Sequence, residues 1–103
     1  MSFKKQFLKS KPVCKVTFRV DASDAAAAET VQLVGDFNNW DKLAQPMSGL
    51  KSKDFTATLE LETGKEYQFR YLINGTTWIN DPVADAYVPN VFGGQNGVVS
   101  TLN

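Results

Sequence analysis

At 103 residues, 43% of them apolar and 12% aromatic, the chain is long enough for one domain with one core, without covalent staples. Its 11 basic and 11 acidic residues cancel to zero formal charge, which argues against a binder of nucleic acid or of an anionic membrane. A single cysteine excludes an internal disulfide, and no histidine is present to act as neutral-pH base or metal ligand.

Residues 1–12 carry Lys4, Lys5, Lys9 and Lys11 and no apolar signal-peptide core. They read as a basic, solvated N-terminal extension, with Phe3, Phe7 and Leu8 available to tack it down. A cytoplasmic location follows, and with it a silent Asn74-Gly75-Thr76 sequon. Residues 13–103 form the domain proper. From 13 to 20 the pattern alternates: Cys14, Val16, Phe18 and Val20 face one way and Lys15, Thr17 and Arg19 the other, a half-buried strand. Cys14 therefore reads as a buried thiol. Residues 21–29 are a loop rich in Ala, Ser and Asp, with room for one helical turn capped by Asp24.

A second strand, 30–35, runs into Gly35-Asp36-Phe37-Asn38-Asn39-Trp40. Asn and Asp favour tight turns, whereas Trp favours burial with a partner for its N–H. Trp40 is thus either a plug folded onto the core or a platform offered to a ligand. Residues 41–54 read as a loop with a short edge strand at 45–47. Phe55, Ala57, Leu59 and Leu61 alternate with polar residues in a third strand, followed by turn chemistry at 62–65. In the strand at 66–73, Tyr67, Phe69, Tyr71 and Ile73 share one face, and Gln68, Arg70 and Leu72 the other. Asn74-Gly75 signals a hairpin that returns over 76–79. Asp81-Pro82 and Val88-Pro89-Asn90 bracket an irregular stretch, and 98–102 closes the chain as a last strand. Asp81 and Asp85 are ordinary turn residues rather than a metal site. Short strands at regular spacing with no long helical pattern predict an all-β antiparallel sandwich.

A strand, then Gly-x-Phe-Asn-x-Trp, then an aromatic strand, then x-Gly-x-Trp with Asp-Pro close behind, resembles carbohydrate-binding module family 48. That family includes the glycogen-binding domain of the AMP-activated protein kinase β subunit and the early-set domains of isoamylases and branching enzymes. The resemblance covers residues 13–102 and implies an immunoglobulin-like early-set sandwich. It also implies that Trp40 stacks on a glucose ring, that Arg70 hydrogen-bonds sugar hydroxyls, and that Trp78 stacks on a neighbouring sugar. The last loop then contributes Phe92, Gly94 and Asn96. Gly94 lacks the hydroxyl found there in the family, and Phe92 is bulkier than its usual Leu. The hairpin 74–78 has one residue more than the kinase-type pattern. One extra residue flips Trp78 inward unless a three-residue turn or bulge restores it to the Arg70 face; restoration is the expectation here.

Sugars present an apolar C–H face and a rim of hydroxyls. Aromatic rings suit the face, and Arg and Asn donors suit the rim. The expected function is a non-catalytic module, standing alone, that binds glycogen, starch or malto-oligosaccharide and recruits or regulates a glucan-metabolising enzyme. The expected site is Trp40, Arg70, Trp78, Phe92 and Asn96, with no cofactor and no metal. The alternative is a protein-interaction domain of the same fold that no longer binds sugar.

Overall fold

In the computed structural model, residues 3–25, 28–91 and 93–102 are described. Strands follow in chain order as Phe3–Phe7 (β1), Val13–Val20 (β2), Val31–Gly35 (β3), Ser48–Gly49 (β4), Phe55–Glu62 (β5), Glu66–Ile73 (β6), Thr77–Ile79 (β7), Ala86–Pro89 (β8) and Gln95–Ser100 (β9). One helical turn, Ala22–Ala25 (α1), follows β2, and a 3-10 turn at Asp36–Asn38 follows β3. One sheet has the order β1-β2-β5-β4 and the other β3-β6-β9-β8, with β7 paired to the end of β6. All pairings are antiparallel. The architecture is the expected immunoglobulin-like, early-set β-sandwich. Among the described residues no helix is long and apolar enough to cross a membrane.

The period-two faces place the core between the sheets. Cys14, Val16, Phe18 and Val20 of β2 are buried against Leu33 of β3 and Phe69, Tyr71 and Ile73 of β6. Phe69 sits at the centre, edge-on to Phe18 at 5.2 Å and to Tyr71 at 5.6 Å between centroids, the favoured geometry for aromatic pairs. Burial pushes the Cys14 thiol up from its ordinary value, so it packs as an inert apolar group.

Three segments differ from the pattern reading, and a fourth, 45–47, pairs at the edge of β3 through one antiparallel bridge. Residues 3–7, read as a solvated extension, pair with Cys14 to Phe18 of β2. Lys5 meets Asp85 at 2.6 Å and Phe7 packs on the core. Charged side chains on an edge strand guard it against pairing with another chain. Residues 45–47, read as an edge strand, bond to β3 through Leu33 N–H to the Gln45 carbonyl (2.9 Å) and Met47 N–H to the Val31 carbonyl (2.8 Å). The chain then crosses to the other sheet, where Ser48–Gly49 pairs with β5. The irregular stretch holds a strand, β8, because it lies at a sheet edge, where a proline such as Pro89 costs no ladder bond. The last strand begins at Gln95 rather than Val98, since polar Gln95 and Asn96 extend β9. It also ends early: Thr101 leaves the ladder, its hydroxyl bonding the Glu62 and Lys65 carbonyls at 2.7 and 2.9 Å.

Asp81 and Asp85 serve separate structural ends. Asp81, fully buried, accepts from the Tyr71 hydroxyl at 2.7 Å and from Val83 N–H at 2.8 Å. Burial, and then the Asp81 charge, lift the Tyr71 hydroxyl far above its usual range, so it remains a donor. Asp85 takes Lys5 and the Ser100 N–H.

Candidate functional site: an aromatic groove on the outer sheet face

The turn after β3 builds one wall, and its parts divide the labour. Asn38 locks the turn, accepting from Gly35 N–H at 3.1 Å and donating to the Leu33 carbonyl at 2.9 Å. Phe37 folds back onto the core, 5.7 Å from Phe18 and 6.2 Å from Tyr67 between centroids. Phe37 is therefore the plug, and Trp40 is left half-exposed. Asn39 and Trp40 both take left-handed backbone, at φ 56° and 59°. Asn tolerates that region; for a bulky Trp it is strained and persists because its surroundings hold it. The holding contacts are Trp40 N–H to the Gly35 carbonyl and Trp40 Nε1–H to Asp36 Oδ1, each 2.9 Å. The other carboxylate oxygen of Asp36 accepts Gln68 N–H at 2.7 Å, tying the turn to β6.

Gly35 is required where the turn leaves the sheet. A Cβ there would lie 2.5 Å from the Gln68 carbonyl oxygen and 2.8 Å from Phe69 Cβ. No other residue lets β3 pass so close to β6.

The floor is the outer face of β6. Val34 pairs with Arg70, Leu72 with Trp78, and Val98 with Gln68, and all three apolar partners are buried although they lie outside the inner core cluster. These apolar side chains lie beside Arg70, Trp78 and Gln68 on the same outer face. Arg70 Nε donates to Asn80 Oδ1 at 2.9 Å, and Asn80 Nδ2 donates to the Gln95 carbonyl at 2.9 Å, so the guanidinium is aimed by its neighbours.

The hairpin decides the position of Trp78. Asn74 and Gly75 take positive φ, 51° and 72°, and Thr76 N–H closes on the Ile73 carbonyl at 3.0 Å. Ile73 then pairs with Thr77 across a three-residue loop, and Leu72 with Trp78. Residues directly opposite in an antiparallel pair share a face, so Trp78 stands on the Arg70 side. The Asn74 side chain anchors the loop by accepting from Glu29 and Thr30 N–H at 2.8 and 3.1 Å.

Trp40, Arg70, Trp78 and Asn96 line one groove of about 860 Å³, together with Lys42, Gln68, Asn90 and exposed Val91. The Arg70 guanidinium carbon and the Lys42 ammonium each lie 5.9 Å from the Trp78 ring centroid. Asn96 is 8% exposed; it donates to Gln68 Oε1 at 3.1 Å and accepts from Asn90 Nδ2 at 3.2 Å. With these two bonds Asn96 braces the groove wall. Gly94 donates its N–H to Asn90 Oδ1 at 3.1 Å. Phe92 lies outside the described residues.

Sequence reasoning missed Lys42, Gln68 and Asn90. Gln68 was legible from its outward register beside Arg70. Lys42 and Asn90 sit on loops, where period carries no information. A second hollow, about 600 Å³, opens beside Gln32, Met47 and Phe55 and contains none of the expected residues.

The groove sets two apolar rings beside polar and cationic side chains. Residues 10–87 match the family described as carbohydrate-binding module 48 (isoamylase N-terminal domain). That stretch includes Trp40, Arg70 and Trp78 and stops short of Asn90 and Asn96. The chain is 36% identical over 69 residues to the 5'-AMP-activated protein kinase subunit beta-1 of Sus scrofa, an alignment covering 67% of this chain and 52% of that protein. It spans about half the length of that relative. With three quarters of its length matched, the chain belongs to carbohydrate-binding module family 48.

Proposed function

We propose that the groove binds α-glucan chains — glycogen, starch or malto-oligosaccharides — and that the domain is a non-catalytic recruiter for a glucan-processing enzyme. The observation that carries this reading is the convergence of Trp40, Trp78 and Arg70 on one outer sheet face. Two rings offer platforms for successive glucose units, while Arg70, Gln68 and Asn96 reach the hydroxyl rim. If each ring removes about 60 Å² from water, stacking contributes about 1.5 kcal/mol apiece, and a few hydrogen bonds about 1 kcal/mol each. Association costs of several kcal/mol offset most of that gain, so a single site binds weakly. Repeated sites along a polymer raise the apparent affinity by avidity.

Affinity electrophoresis in gels containing glycogen tests the proposal. Retardation of the wild-type chain, lost in Trp40→Ala, is the expected result. Equal mobility of the wild-type chain with and without glycogen, or with amylopectin in its place, contradicts it.

A further inference from the structure

The groove carries a charge asymmetry that neutral sugar does not need. Arg70 and Lys42 both stand by the Trp78 ring, and neither is in an ion pair with a carboxylate among the described residues. Among the described residues no carboxylate lines the groove. Two acids, Asp36 and Asp41, lie on the Trp40 turn. Asp36 is spent on Trp40 Nε1–H and Gln68 N–H, and Asp41 accepts Leu43 N–H at 2.9 Å. Arg70 is half-buried and aimed through Nε by Asn80, which leaves its terminal nitrogens as a fork toward the groove. In a chain of zero net charge this local excess is a property of the site.

A guanidinium fork plus a movable ammonium is the donor set that suits a phosphate monoester. Both cations lie near the outer limit of cation–π range, about 6 Å, so a ring stacked on Trp78 displaces only a loose contact. We propose that the groove prefers α-glucan chains bearing anionic substituents, phosphate monoesters above all, to neutral chains. This inference rests on reading the groove as the glucan site. A glucose unit on Trp78 brings the oxygens on its rim between Arg70 and Lys42, where an ester of about −1.5 to −2 charge gains what a hydroxyl cannot.

The test compares maltoheptaose with maltoheptaose carrying one 6-phosphate, titrated into the full chain and followed by NMR at low and high salt. The expected result is roughly five- to twentyfold tighter binding of the phosphorylated sugar at about 20 mM salt. Screening shrinks that ratio to less than about twofold near 0.5 M salt. Lys42→Gln, at an exposed position, narrows the low-salt ratio about threefold. Equal affinities for the two sugars at low salt overturn the anionic preference and leave the glucan site standing. A preference that survives high salt, or is unchanged in Lys42→Gln, also overturns it, because the discrimination is then not made by these cations. Failure of both sugars to bind overturns the glucan reading and this inference together.

Discussion

Trp40 and Tyr71 show how single residues separate binding from folding. Trp40 holds a backbone conformation that costs a non-glycine residue about 1–2 kcal/mol. Trp40→Gly relieves that cost while removing the ring. Its midpoint of thermal unfolding should stay within a few degrees of wild type, with glycogen retention lost; a large fall in the midpoint would make Trp40 a core residue instead. Tyr71 is the opposite case. Its hydroxyl is a partner of the fully buried Asp81 carboxylate. Tyr71→Phe leaves that oxygen unsatisfied and should cost about 1–3 kcal/mol in urea unfolding, with sugar affinity unchanged in the fraction that is folded. The pattern reading placed Tyr71 on the core face but gave no sign of its partner, because Asp81 lies just beyond the β6–β7 hairpin, where strand period carries no information.

At the scale of elements, the site depends on how β3 leaves the sheet and how β6 returns. Gly35 admits no side chain between β3 and β6. Gly35→Ala forces backbone apart and should destabilise by about 1–3 kcal/mol, while weakening sugar binding through the displaced Trp40 turn. Unfolding curves and titration of the same variant check both halves. The hairpin at Asn74-Gly75 is the second device, and here residue types were informative: two positions of positive φ absorbed the extra residue and kept Trp78 on the Arg70 face. The strands with clean alternation, β2, β5 and β6, were legible for the same reason that they fold, namely that one face is buried. Strands β1 and β8 were not. Lysines at 4 and 5 and prolines at 82 and 89 mark an edge strand and a loop alike, and only the pairing partner distinguishes them. Three of the groove residues, Trp40, Arg70 and Trp78, come from a motif or a strand face; Lys42 and Asn90 come from loops whose path the sequence pattern does not encode.

For the whole molecule, an ion pair fastens the α1 end of the sandwich. Arg19 on β2 meets Asp54 just before β5, and Ala22 N–H at the start of α1 donates to the same carboxylate at 2.6 Å. The Arg19 hydrogen bond first, and Ala22 N–H second, hold the Asp54 carboxyl below its usual value. A depressed carboxylate contributes stability that is complete above its unfolded value, about 3.9, and is lost as pH falls through its lower folded value. Asp54→Asn should therefore lower the unfolding midpoint at pH 7 and show a smaller further loss between about pH 4 and pH 2 than wild type. Parallel acid slopes in the two proteins would show that the pair contributes nothing.

The two sheets serve the groove unequally. One supplies the inner wall of the core. The other carries a core face inward and, on its outer face, buried Val34, Leu72 and Val98 beside Arg70, Trp78 and Gln68. Binding should therefore register on that outer face alone. Titration of the labelled chain with maltoheptaose, read by NMR, tests this most directly. Saturable shifts are expected at the indole N–H groups of Trp40 and Trp78 and at the side chains of Arg70 and Asn96, with β1 and β2 silent. No shifts with millimolar sugar, or shifts centred on the opposite sheet, would contradict it.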